Sequence, residues 1–90
     1  MIDVYIVHNN PSALKQFWEF AYAIEPFVHT LDIGSKLDRS KAFKLKQEWG
    51  ARQDPFCLIK KDDKAVKAFY SETGEDAIVQ LINFLKTWKN

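Results

Sequence analysis

Apolar positions along the chain switch between a period of two and a period near 3.6, and each switch marks an element boundary. Ile2-Asp3-Val4-Tyr5-Ile6-Val7 is a short, β-branched, almost continuous apolar run, the pattern of a strand buried on both faces. Asn10 then suits a helix cap and Pro11 the first helical position, where proline's missing N–H would lack a partner anyway. Leu14, Phe17, Trp18, Ala21 and Ile24 recur at helical spacing. They predict one apolar face of a helix that runs to about Ile24 and ends at Glu25-Pro26. Phe27 to Ile33 alternates again and predicts a second strand, closed by Gly34-Ser35. A lysine-rich segment follows, with Asp38 or Ser40 as its cap, Ala42, Leu45 and Trp49 on one face, and Gly50 where a left-handed terminator is wanted. Phe56–Lys60 and Ala65–Tyr70 flank the polar turn Lys61-Asp62-Asp63-Lys64 and predict a hairpin. Thr73 with Asp76 three residues on resembles a capping box before the stripe Ile78, Leu81, Ile82, Leu85 and Trp88.

The predicted order is therefore β-α-β-α-β-β-α. Parallel strands joined through a helix need a right-handed crossover. The expected architecture is α/β, a four-stranded mixed sheet with helices on both faces. A chain of 90 residues fits one domain. With 13 lysine and arginine against 12 aspartate and glutamate the net charge is +1, so no global field attracts nucleic acid or an acidic membrane. No apolar run approaches the ~18 residues of a membrane span. The N-terminus lacks the pattern of a signal peptide, and the cytoplasm is the expected compartment. One cysteine rules out an internal disulfide, a CxxC pair and a four-cysteine zinc site.

The segment Trp49-Gly50-Ala51-Arg52-Gln53-Asp54-Pro55-Phe56 resembles the thioredoxin stretch aromatic-Gly-(Val/Ile)-Arg-x-x-Pro-Thr. The apolar strand, charged turn, second strand and amphipathic helix that follow are also similar to thioredoxin. The resemblance spans most of the chain from Ile2 to Trp88. It implies the minimal thioredoxin-like fold, with Pro55 cis and facing the site. Setting proline against proline places Asn9-Asn10-Pro11-Ser12 where thioredoxins carry Cys-Gly-Pro-Cys. In the same register Asp3 falls where that family has a buried proton-handling aspartate, and His8 where it has a tryptophan.

Dithiol exchange needs a nucleophilic thiolate at a helix N-terminus and a second thiol to resolve the mixed disulfide. Asn9 and Ser12 supply neither. Cys57 lies inside an apolar strand beside Leu58 and Ile59 and reads as a small core hydrophobe. His8 and His29 have no third ligand at metal spacing. No cofactor, metal or catalytic constellation is expected. The resemblance then implies a redox-inactive module that engages a protein partner at the former active-site edge: His8, Asn9, Asn10, Pro11, Ser12, Asp54 and Pro55. A cis Asp54–Pro55 bond would turn the Asp54 backbone outward to pair with an extended peptide, and the Asp54 charge would favour basic partners. The alternatives are a small enzyme using Cys57 or His8, or a structural subunit of a larger assembly such as a phage particle. Lys36, Arg39, Lys41, Lys44 and Lys46 read as a solvated helix face. Phe20 and Phe43, off the main stripes, would form a partner patch if exposed together. The sequence leaves the oligomeric state open.

Overall fold

The computed structural model describes residues 2–21, 27–71 and 76–87. Among them the order is β1 (Ile2–His8), a 3-10 turn (Pro11–Leu14), α1 (Lys15–Ala21), β2 (Phe27–Asp32), α2 (Arg39–Trp49), β3 (Phe56–Lys61), β4 (Lys64–Tyr70) and α3 (Ala77–Thr87). The strands form one mixed sheet in the order β2-β1-β3-β4. β1 runs parallel to β2, with Val4 opposite Val28 and Val7 opposite Leu31. It runs antiparallel to β3, with Ile6 opposite Cys57 and Val7 opposite Phe56.

The two central strands are apolar on both faces because each face meets a helix layer. Val4, Ile6, Cys57, Ile59 and Phe69 pack with Leu14 and Phe17 of the first helical segment and with Ala77, Ile78, Leu81, Ile82 and Leu85 of α3. Val7, Phe56 and Leu58 pack with Ala42 of α2 on the other face, and Leu45 and Trp49 close that cluster. Burial of this kind stabilises by ~25 cal/mol per Å² of apolar surface removed from water. Phe17, Phe56, Leu58, Ile59 and Leu81 are all inaccessible to solvent.

Local chemistry sets the boundaries. Asn10 caps the first helical segment, its Oδ1 accepting from the Ser12 N–H at 3.1 Å. α2 ends at Gly50, whose φ of 68° is the left-handed conformation that glycine adopts without steric cost. The β3–β4 turn needs only Asp62 and Asp63, both at positive φ (52° and 65°), as a two-residue turn matching the strand twist requires. In β4, Lys67 pairs with Ile59 and Ala65 with Lys60, leaving Val66 as the extra residue of a bulge. The Asp54–Pro55 peptide is cis.

Several expectations change. The first helical segment opens as a 3-10 turn rather than as α-helix, and its expected end at Ile24 and Glu25-Pro26 lies outside the described residues. Neither proposed cap of α2 acts through its side chain. Asp38 turns its Oδ2 back to the Asp32 N–H at 3.2 Å, and Ser40 lies within the helix. Thr73 is outside the described residues, as is Trp88. Asp76 caps α3, its Oδ1 accepting from the Ile78 N–H at 2.7 Å. Trp18 is 48% exposed because the inward stripe runs through Leu14, Phe17 and, in part, Phe20, leaving the next residue round the helix on the flank. Phe20 and Phe43 share no patch. Phe20 packs with the α1/α3 layer, whereas Phe43 is exposed on α2 across the sheet.

Leu81→Ala is expected to lower unfolding free energy by about 2–5 kcal/mol, since it empties a fully buried site. Leu37→Ala, at a residue 89% exposed, should stay within about 0.5 kcal/mol of the parent. Urea denaturation of both variants measures the contrast.

Candidate functional site

β1 ends at His8, and the chain leaves the sheet there through Asn9-Asn10-Pro11-Ser12, all exposed. β3 begins at the same edge. Continuing the register by one residue from Val7–Phe56 sets His8 beside Pro55. The sequence-predicted residues from His8 to Ser12 and Asp54–Pro55 are thus brought to one edge of the sheet, at the carboxyl end of β1.

Their exposure divides them. Asn9, Asn10, Pro11 and Ser12 face solvent, whereas Pro55 is buried and His8 is only 3% exposed. His8 lies on the strand face of Val4 and Ile6. Its backbone carbonyl accepts from the Ile33 N–H at 2.9 Å, and its Nδ1 is buried with no hydrogen-bond partner among the described residues. An orphaned polar atom of this kind costs about 1–3 kcal/mol.

Asp54 differs from its expected role. Its carboxylate meets Lys46 Nζ at 2.7 Å, with both side chains largely shielded from water. Lys46, expected on the solvated face of α2, is instead one of the few buried charged residues. Its ammonium lies where α2 crosses the loop before β3, so the Asp54 charge is balanced within the fold and does not await a basic partner.

The backbone before Pro55 is open. Ala51 N–H donates to the Lys46 carbonyl at 2.8 Å, but the N–H groups of Arg52, Gln53 and Asp54 make no hydrogen bond among the described residues. Arg52 and Gln53 are exposed. These main-chain donors lie at the end of the interior strand β3, in the loop that leads into it, and not along an outer strand.

Residues that the sequence did not single out brace this edge. Ser71 Oγ donates to the Pro55 carbonyl at 2.6 Å and accepts from the Ala77 N–H at 3.0 Å, tying the start of β3 to the start of α3. Tyr70 Oη donates to the Trp49 carbonyl at 2.6 Å, which ties β4 to the end of α2. A cavity of about 380 Å³ adjoins the edge, between Ser12 and Gln16 on one side and Asp76 and Val79 on the other. The only sequence signal for these roles was position just after a strand or just before a helix.

Cys57 is fully buried in β3. Desolvation, and then the charge of Asp76, push its thiol well above the ordinary range. Nucleophilic chemistry requires an accessible thiolate, and burial here opposes both access and deprotonation. Asp3 makes no buried proton relay either. It lies at the far end of β1 from His8, 22% exposed, with Oδ1 at 3.1 Å from His29 Nε2. No group of three or more His, Cys, Asp or Glu among the described residues could hold a metal ion. No described helix is long and apolar enough to cross a membrane.

No protein-family model matches the chain, and neither a curated protein nor a solved structure matches it.

Because the folded state holds the Cys57 proton more tightly than the unfolded chain, this group's effect on stability is flat below the unfolded thiol pKa, about 8.5. Stability then falls as pH rises, by up to about 1.4 kcal/mol per pH unit. Cys57→Ala should remove this part of the alkaline slope, as read from denaturation midpoints at several pH values. Lys46→Met should destabilise by about 2–4 kcal/mol, leaving Asp54 shielded and unpaired. Adding Asp54→Asn should restore part of that loss in the same assay.

Proposed function

We propose that this chain is a thioredoxin-like domain without dithiol chemistry, and that it binds an extended segment of a protein partner at the edge formed by Asn9–Ser12 and Arg52–Asp54. The fold reading is supported by the element order and by the central β1, flanked by a parallel β2 and an antiparallel β3. The observation that carries the functional reading is the run of backbone N–H groups at Arg52–Asp54 that make no hydrogen bond among the described residues, next to a strand-to-helix turn that holds no thiol. Main-chain pairing would supply affinity there. Specificity would come from the exposed side chains of Asn9, Ser12, Arg52 and Gln53. The Asp54 side chain and Pro55 form the floor of this edge rather than its contact surface, because the first is paired with Lys46 and the second is buried.

The enzyme alternative through Cys57 is the weaker one, because its thiol is buried and held protonated. His8, nearly inaccessible, has no exposed face from which to serve a substrate.

The protein should not catalyse dithiothreitol-driven insulin reduction. A rate above buffer that disappears in Cys57→Ser would overturn the redox-inactive reading. In pull-downs from native lysate, Asn9→Arg and Gln53→Arg should each abolish the captured partners, whereas Val66→Lys on β4 should retain them. Partners unchanged by both edge substitutions would place the binding surface elsewhere.

A further inference from the structure

The sheet face beneath α2 is only partly covered. The helix seals Val7, Phe56 and Leu58. Further from the edge on the same face, Tyr5 is half-buried against this cluster and His29 is exposed. A cavity of about 350 Å³ opens there between β1, β2 and the flank of α2, within the size range of small-molecule sites.

Its floor is held on three sides. Tyr5 and His29 are cross-strand partners whose rings stack with centroids 4.6 Å apart and planes 16° apart. Asp3 Oδ1 fixes the His29 ring through Nε2 at 3.1 Å. Lys60 Nζ stands 5.4 Å from the Tyr5 centroid. It comes from β3, whereas His29 comes from β2, so Tyr5 is clasped from both neighbouring strands. Leu31 and Leu45 supply an apolar wall, and Lys41 and Lys44 reach the rim from α2 against the single carboxylate of Glu48. Neither lysine forms an ion pair among the described residues. The carboxylate of Asp3 is already engaged by His29.

We propose that this cavity binds a small aromatic carboxylate. The ring lies on the Tyr5–His29 floor against Leu31 and Leu45, and the carboxylate lies between Lys41 and Lys44. Because His29 and Lys60 take up the faces of the Tyr5 ring, the ligand ring meets the edges of the stacked pair, a contact that aromatic rings favour. Two ammonium groups facing one carboxylate set the preferred sign of the ligand. The site is separate from the edge proposed above, on different residues, and stands or falls independently of it.

The test is a titration of isotope-labelled protein with phenylacetate and with neutral phenylacetamide, followed amide by amide by NMR. Phenylacetate should shift the signals of Tyr5, His29, Leu31 and Leu45 and bind about two- to fivefold more tightly than the amide, the range expected of exposed charge contacts. Lys41→Gln combined with Lys44→Gln, at exposed positions, should remove that preference while leaving the unliganded spectrum otherwise folded. Equal binding of acid and amide, shifts mapped outside the cavity, or no shifts at all would each overturn the proposal. So would binding of an acidic phenylalanine-containing peptide without binding of phenylacetate, which would assign the surface to a protein partner.

Discussion

The pairing of β1 with β3, two strands apolar on both faces, is the constraint on which the rest of the molecule depends. Val4, Ile6, Cys57 and Ile59 must face one helix layer, and Val7, Phe56 and Leu58 the other. Side chains alternate strictly along a strand, so a slip of one residue would exchange the two sets. It would also move Tyr5 out of the α2 face and Cys57 into it. The register is therefore pinned from both sides at once. With it are pinned the positions of His8 and Pro55, which leave the sheet together.

Polar groups are then disposed by what this apolar frame leaves over. Lys46 emerges from α2 next to the loop that leads into β3, and Asp54 is placed to neutralise it. Such a shielded pair contributes little net stability compared with an apolar substitute, but removing one partner is costly. Its effect is geometric: it holds the loop from Gly50 to Pro55 against α2 and so keeps Arg52 and Gln53 turned outward. Ser71 and Tyr70 anchor the same loop and the start of β3 from the opposite side.

Much of the fold was legible because periodicity and punctuation agreed. The apolar run at Ile2–Val7, Gly50 in the left-handed conformation and the aspartate pair in the hairpin turn each predicted the element that formed. Helix faces were less legible. Trp18 satisfied the same spacing rule as Phe17, but a narrow helix stripe accepts one of two adjacent large residues and leaves the other outside. Lys46 illustrates a different limit. A lysine in a lysine-rich helix reads as solvated, and only the approach of Asp54 from a later loop gives it a buried partner. The candidate edge was legible in which residues it gathers, since strand ends are set by the sheet. It was not legible in which of them stay accessible, because the burial of His8 and Pro55 depends on packing around them from elements distant in sequence.

The bulge at Val66 bears on how the protein behaves in concentrated solution. β4 is an outer strand, and a flat outer strand invites the same strand of another molecule to add to it. Here Lys64 and Lys67 are exposed and the extra residue disturbs the spacing of the ladder. Two copies meeting along β4 would bring ammonium groups together across an uneven edge. Open-ended stacking of sheets is thereby discouraged on this side, and a chain of this small size can display unpaired backbone before Pro55 without offering a second, longer template for self-association along β4.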